Sequence, residues 1–307
     1  MRIIDSAKYN GRYANLSLTW GETTGDADVR LVYATDLHGD SGAYAALAAL
    51  ALGERAHAVL LGGDLFAYSR KAAPQIAFAN GPFRAFLRQL RAADIPVVAI
   101  PGNDDRAAAV AHLQTLVAEG LLRLADLHPQ RLVTGETDGI TVVGYPFVPP
   151  TPFRLKEQER RDLARDRYHG PWPFFVSSPI SDAPWVEAAP DHLDRLPSIA
   201  EDLAAIPPIT SPWLLLAHSP PWGVLDRAET VEHAGSRALR AWVLARQPLL
   251  ALHGHIHEAP DLLGHWTARL GTTICVNPGA SQGTAVQAVV CETTCLPRSL
   301  RHTLRTP

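Results

Sequence analysis

Seven residues of this 307-residue chain form a set of metal-ligating side chains, each placed just after a short apolar run. Asp36 and His38 lie in Asp36-Leu37-His38-Gly39 after VRLVYAT, and Asp64 closes Gly62-Gly63-Asp64 after AVLL. Asn103 sits in Gly102-Asn103-Asp104-Asp105 after PVVAIP. His218 follows WLLLA, and His255 and His257 stand in Gly254-His255-Ile256-His257 after LLALH. Two carboxylates, one amide oxygen and four imidazoles suit Mn, Fe, Zn or a related ion better than Ca or Mg. A carboxylate shared between two such ions holds them about 3.5–4 Å apart. Two divalent cations against two carboxylates leave a surplus of about two positive charges, which favours a bridging hydroxide and a phosphoryl group gaining charge. Each fragment alone is common. The signal is the conjunction of five fragments in order, each after an apolar run and most beside a glycine that lets the backbone turn sharply.

Those runs read as strands that must carry the ligands to one place. Val29–Thr35, Ala58–Leu61 and Pro96–Ile100 are strand-like and alternate with helical stretches at Gly42–Leu52, Pro82–Ala93 and Arg106–Glu119. Pro82 suits a first helical turn and Asp105 suits a cap. The alternation predicts parallel strands joined by right-handed crossovers, whose carboxyl ends open on a common crevice. Ile140–Tyr145, Trp213–Ala217, Leu249–His253, Thr273–Val276 and Ala285–Cys291 follow with fewer helices between them, which predicts a second, more mixed sheet. Residues 146–212 differ in character, with clustered prolines and aromatics and one charged, helix-like stretch at Leu155–Arg167. They read as an insertion within a single 1–307 domain. Either they form an irregular surface excursion or they cap the site, with Trp172, Phe174, Phe175 and Trp185 as a stacking wall. The opening segment, with Tyr9, Tyr13 and Trp20, reads as an edge strand or an arm.

The set DLHG, GGDL, PGND, AHSPP and HGHIHE resembles the calcineurin-like metallophosphoesterase superfamily from Thr35 to about Ser281, where Asn277–Ser281 also looks like a turn near that family's site. The resemblance implies an α/β fold, a four-layer α/β/β/α sandwich of two mixed β-sheets flanked by helices. It also implies a division of ligands. Asp36, His38 and His257 would hold one metal, Asn103, His218 and His255 the other, and Asp64 would bridge them. In that family the third motif usually reads Gly-Asn-His, and the His helps protonate the leaving oxygen. Asp104 stands at that position here, as in a bacterial and archaeal subset that lacks the His.

Asp104 therefore has three readings: a helix-entry residue, a general acid, or an acceptor that orients substrate or a ligand. His233 follows the His218 loop by fifteen positions and is a second candidate acid, or an ordinary loop histidine. Glu258 and His253 are candidate partners of ligand imidazoles. Arg70 and Lys71 could meet a phosphate or belong to a solvated loop. His57, His112, His128, His169, His192, His265 and His302 read as surface or loop residues, and Arg298–Arg305 as a solvated tail.

Composition bounds the function. Hydrophobic residues are 47% and charged residues 19%, ordinary for a globular enzyme, and the net charge of −3 gives no support to a nucleic-acid partner. Met1–Ser6 lacks the apolar core of a secretory signal, and no run is long enough for a membrane span. Three sparse cysteines, Cys275, Cys291 and Cys295, argue against a disulfide framework and fit a cytoplasmic location. The expected activity is hydrolysis of a small phosphate ester, a phosphodiester before a monoester, by a hydroxide bridging two metal ions. A nuclease or monoesterase of the same fold, or a catalytically weakened metal-binding scaffold, are the alternatives.

Overall fold

The computed structural model describes residues 29–125, 127, 129–132, 139–170, 172–177, 185–281 and 285–306. The expected N-terminal arm and His128 lie outside the described residues. The first part of the chain holds β1 (Arg30–Ala34), α1 (Ser41–Gly53), β2 (Ala58–Leu61), α2 (Ala73–Phe78), α3 (Arg84–Arg91), β3 (Val97–Ala99), α4 (Ala107–Ala118) and β4 (Arg123–Leu124). There follow β5 (Gln130–Leu132), β6 (Ile140–Tyr145), β7 (Phe175–Val176), β8 (Val186–Glu187), α5 (Ile199–Ala205), β9 (Trp213–Ala217), α6 (Arg237–Arg246), β10 (Leu250–Leu252), α7 (Ala259–Leu263), β11 (Thr267–Leu270), β12 (Thr273–Val276), β13 (Val289–Glu292) and β14 (Arg301–His302).

Alternation of side chains along the buried strands sets the layering. In β1, Leu31 and Tyr33 join a core shared with Leu214, Leu216, Leu250 and Leu252 of the second sheet. Val32 and Ala34 of the same strand pack instead with Tyr44, Leu47, Phe83, Leu87 and Leu113 of the helices. On the far side of the second sheet, Val143, Leu215, Ala251 and Cys275 meet Ile199, Leu203, Leu239 and Trp242. Strands buried on both faces read as continuous apolar runs, as these do. The result is an α/β/β/α sandwich. One sheet has the order β14-β13-β1-β2-β3-β4 and the other β11-β12-β10-β9-β6-β5. In the first, β1 to β4 are parallel, β13 runs antiparallel to β1, and β14 antiparallel to β13; in the second, β6, β9, β10 and β12 are parallel and β5 and β11 antiparallel. Mixed sheets arise because the late strands return through short connections instead of helical crossovers.

Three local expectations are corrected. Pro82 does not start a helix: α2 and α3 run on through a π-helical turn, Ala79–Phe83, that contains it. A widened turn accommodates the missing N–H and the ring. Leu155–Arg167 is not a helix, because its charges turn inward and bind backbone. Lys156 Nζ donates to Thr151 O at 2.6 Å and pairs with Glu159 at 3.0 Å, and Arg161 donates to the carbonyls of Leu193, Ala164, Asp166, Asp194 and Leu196. The tail is an edge strand rather than a solvated end. Arg301 pairs with Glu54, Arg305 with Asp261, and His302 is buried, its ring packed on Trp266 and its Nε2 2.9 Å from Pro278 O.

Asp162 ties the 146–212 segment to the sandwich. Its carboxylate accepts from Ser236 Oγ and from the backbone N–H of Arg237 at 2.8 Å and Ala238 at 3.2 Å, the first turn of α6. Negative charge is favoured there by the helix dipole, and the donors are buried. Asp162→Ala should lower stability by about 2 kcal/mol, the cost of leaving buried donors unpaired, and Asp162→Asn by less. Thermal denaturation of the two variants reads the difference.

Candidate metal centre

The strand ends bring the seven expected ligands into one cluster. One donor atom each from Asp36, His38 and His257 lie within 4.8 Å of one another, and so do those of Asp36, Asp64 and His218. These groups fit the expected ligands of one ion and the shared position of Asp64. Asn103 Oδ1 stands 3.0 Å from His218 Nε2, and the rings of His218 and His255 are 5.2 Å apart, which gathers the other expected set. Asp64 lies between the groups, its Oδ2 3.5 Å from His218 Nε2 and 3.9 Å from His38 Nε2. A mixed carboxylate, amide and imidazole set around a central buried carboxylate is the donor chemistry that a pair of transition-metal ions takes.

Local backbone geometry makes this convergence possible. Asp36, His38, Asp64 and His255 all adopt positive φ, between 43° and 63°. Left-handed backbone is uncommon outside glycine and is retained where function needs a side chain re-aimed. Close approach is enforced at two glycines. A Cβ on Gly254 would stand 2.1 Å from Asp36 Oδ2, and one on Gly102 would stand 2.3 Å from Asp64 Oδ1. Neither loop could lie so near its carboxylate with a larger residue.

Hydrogen bonds fix the clustered side chains from behind. Asp36 accepts from Thr35 Oγ1 at 2.8 Å and from the His255 N–H at 3.1 Å. Asp64 Oδ1 accepts from the Asp104 N–H at 2.8 Å, and the His218 Nδ1 lies 2.9 Å from Gly62 O. A carbonyl at Nδ1 directs the Nε2 of His218 toward the cluster. Asn277 donates to Ile256 O at 2.9 Å and to Leu225 O at 3.3 Å and so holds the His257 loop.

Electrostatics follow from burial and carboxylates. For His218, burial disfavours the charged ring, but the Asp64 carboxylate and its hydrogen bond outweigh this and push the pKa up to about 10. For Asp64 burial is likewise the largest influence and is outweighed, here by His218 and His38, so its pKa falls well below the usual carboxylate range. His38 is opposed by burial and raised on balance by Asp64, Asp36, Asp104 and Asp105. Burial alone lowers His253 to about 3, and burial followed by the positive His218 lowers His255 to about 3.

Several expected residues take other positions. Asp105 does not cap α4, which has Arg106 at its cap position with no side-chain bond. Its buried carboxylate accepts from the N–H of Gly102 at 2.8 Å, Phe66 at 3.0 Å and Leu65 at 3.1 Å, which locks the third motif onto the second. Burial and then Asp64 push its pKa up to about 7. Asp104 is not at the helix entry either. Its Oδ2 faces His38 Nδ1 at 3.8 Å, and burial followed by Asp64 raises its pKa. His233 pairs with Asp226 Oδ1 at 3.1 Å and packs on Trp222, and its described contacts do not include the seven clustered residues. It lines a separate cavity of about 530 Å³ with Asp226, Glu229 and His265. Glu258 Oε2 lies 3.9 Å from His257 Nδ1. His253 is fully buried with neither ring nitrogen hydrogen-bonded. Among the aromatics of the 146–212 segment, Phe174 is buried against Tyr168, Trp172 and His192, while Trp185 packs on Tyr68 beside the second motif. Sequence reasoning missed Gln75, whose amide joins Ala67 O, Asp104 O and the Arg106 N–H, because a lone glutamine in a helix carries no signal.

With this geometry in view, the chain belongs to the calcineurin-like phosphoesterase family, whose pattern matches residues 29–259. Members of this family usually bind a pair of metal ions. Among solved structures, a Thermus thermophilus protein, TT1561, is similar with a TM-score of 0.55 and 18% identity, over 90% of this chain and 98% of that one. A dimetal phosphatase from Danio rerio has a TM-score of 0.46 and 10% identity, over 90% of this chain and 97% of that one. An archaeal phosphodiesterase has a TM-score of 0.42 and 8% identity, over 89% and 98%. A search of curated protein sequences gave no significant match. Among the described residues no helix is long and apolar enough to cross a membrane.

The His218 pKa sets a pH dependence. A histidine whose pKa is about 10 in the fold and about 6.5 unfolded contributes stability that is full below pH 6.5 and lost as pH rises through 10. A bound metal takes the place of that proton. Metal-free protein should therefore lose thermal stability between pH 6.5 and 10, and metal affinity should rise over the same range with proton release. His218→Asn should flatten both trends. Melting temperatures across pH, with and without metal, check this. An unchanged slope in the variant would contradict it.

Proposed function

We propose that the chain is a di-metal phosphoesterase that hydrolyses a small phosphodiester in the cytoplasm. Asp36, His38 and His257 would hold one ion, Asn103, His218 and His255 the other, and Asp64 both. The observation that carries the reading is Asp64, a buried carboxylate within 4.8 Å of donors from two separate strand ends. A pair of Mn, Fe or Zn ions supplies Lewis acidity for the phosphoryl oxygens and acidifies water at neutral pH. The chain supplies position: Thr35 and His255 N–H hold Asp36, Gly62 O turns His218, and Asn277 holds the His257 loop.

Asp104 acts in this reading as a positioning residue. His38 lies between two carboxylates, with Nε2 toward Asp64 and Nδ1 toward Asp104. Asp104 thereby stands on the Nδ1 side of His38 and leaves the Nε2 side facing Asp64. It makes a poor acid once two cations lie nearby, because they stabilise its ionised form and oppose the effect of burial. With no histidine at that position, substrates whose leaving alcohol is already acidic lose least, which favours activated diesters. His233, hydrogen-bonded to Asp226, is given no part in proton transfer.

Two outcomes follow. Elemental analysis should find two metal ions per chain, and Asp64→Ala should lower that number. A stoichiometry of one that Asp64→Ala leaves unchanged would exclude a shared ligand. Asp104→Asn should keep both ions and reduce turnover of a nitrophenyl diester by less than about tenfold, or 1.4 kcal/mol of barrier. Asp104→His should help poor leaving groups more than activated ones. Steady-state kinetics on both ester types separate these, and a loss of several hundredfold in the Asn variant with both ions bound would make Asp104 catalytic.

A further inference from the structure

Three residues beyond Asn103, the chain buries an arginine that no acceptor fully satisfies. Arg106 is 0% exposed. Its backbone N–H goes to Gln75 Oε1 at 2.8 Å and its Nε to Ser69 O at 2.7 Å, while Nη1 and Nη2 have no hydrogen-bond partner. Its guanidinium lies 5.2 Å from the Tyr68 ring and 5.9 Å from the Trp185 ring. Two further buried donors in the same neighbourhood also lack partners, Trp185 Nε1 and Ser177 Oγ. Ser177 is brought there by Glu157, whose oxygens accept from the N–H of Ser177 at 3.0 Å and of Ala107, next to Arg106, at 2.6 Å. Glu157 thus has both oxygens engaged by backbone. The Arg70 guanidinium adds a second positive charge 5.5 Å from the Trp185 ring.

Buried donors are rarely left unmade, and Asp104, whose carboxylate feels the Arg106 charge, makes no hydrogen bond to the Nη groups. The two rings offset part of the cost through their π-faces. Water can accept hydrogen bonds but brings no charge. A planar or tetrahedral oxyanion does both and matches the paired Nη groups in bidentate fashion. Arg106 is three residues from Asn103 and its charge is felt by Asp104, which puts its guanidinium in the neighbourhood of the metal cluster. The cover is thin, because Tyr68 is 57% exposed.

We propose that Arg106, Trp185 and Ser177 form an oxyanion subsite beside the metal centre, which takes a second phosphate or carboxylate group carried by the substrate. This deepens the phosphoesterase reading and rests on it for the word substrate. The substrate is then an ester that carries a second anionic group, and Arg70 favours its approach. The 146–212 segment has the part of completing this subsite through Ser177 and Trp185.

Inorganic phosphate and benzoate, titrated separately into metal-loaded and metal-stripped protein, test the subsite by calorimetry and tryptophan fluorescence. Metal-loaded protein should bind more phosphate than metal-stripped protein, and one anion equivalent should persist after stripping. That equivalent should change the emission of the wild type but not of Trp185→Phe. Arg106→Gln and Arg106→Lys should weaken it by about tenfold or more, since each loses paired bonds to a charge. Should the Arg106 variants fail to fold, Trp185→Phe and Ser177→Ala each remove one donor and should weaken it severalfold. A preference for phosphate or for benzoate names the group. No metal-independent anion binding, or binding that none of these variants weakens, would overturn the subsite and leave the donors to water. Inactivity on every phosphate ester would instead remove the phosphoesterase reading, and the anion titrations would still decide the subsite.

Discussion

A carboxylate carried to the seam of two stacked sheets stays ionised only if its surroundings supply donors and positive charge, and Asp64 is such a carboxylate. It is 3% exposed, accepts from the Asp104 N–H, and lies near His218 and His38. Asp64 and His218 come from chain segments far apart in sequence, on different sheets. Folding the two sheets face to face is therefore also what assembles the cluster. The same proximity favours a proton on His218 in the metal-free fold.

Bringing that many polar groups together needs unusual backbone at the cluster. Four of the seven clustered residues have left-handed backbone, and Gly102 and Gly254 are pressed against the carboxylates. What holds these loops is a set of buried polar contacts. Asp105 grips three backbone N–H groups across two loops, Gln75 joins three more backbone groups, and Asn277 pins the His257 turn. Apolar packing fixes the sheets to one another, but only directional bonds fix a loop to a fraction of an ångström.

The 146–212 segment is held by buried charged residues as well as by apolar packing of Val148, Phe174, Leu193, Ile199 and Leu203. The buried Lys156–Glu159 pair, the carbonyl-collecting Arg161 and the helix-capping Asp162 stand within seven residues of sequence. Such pairs add less stability than apolar packing, but they are sensitive to geometry. They place Trp185 and Ser177 next to the second and third motifs.

The alternation of apolar runs with glycine-rich turns was enough to locate β1, β2, β3, β6, β9, β10, β12 and β13 and the seven residues that cluster, but not the edge strands β4, β5, β11 and β14 or the small β7-β8 pair. Period and spacing are local properties, and a buried parallel strand ending in Gly-Gly-Asp or Gly-His-Ile-His is written in consecutive residues. Tertiary structure decided what depends on direction. Asp105 looked like a helix cap from its place before α4, yet its side chain turns back to the N–H of Gly102 in its own loop and those of Leu65 and Phe66 in another. Leu155–Arg167 read as a charged helix because polarity in sequence does not say whether a charge faces water or a backbone carbonyl. His233 lay close to His218 in sequence, but its hydrogen bond to Asp226 holds it in another setting. Arg106 gave no signal at all, since its burial arises from Tyr68 and Trp185, which stand 38 and 79 residues away and meet it only when the sheets have packed.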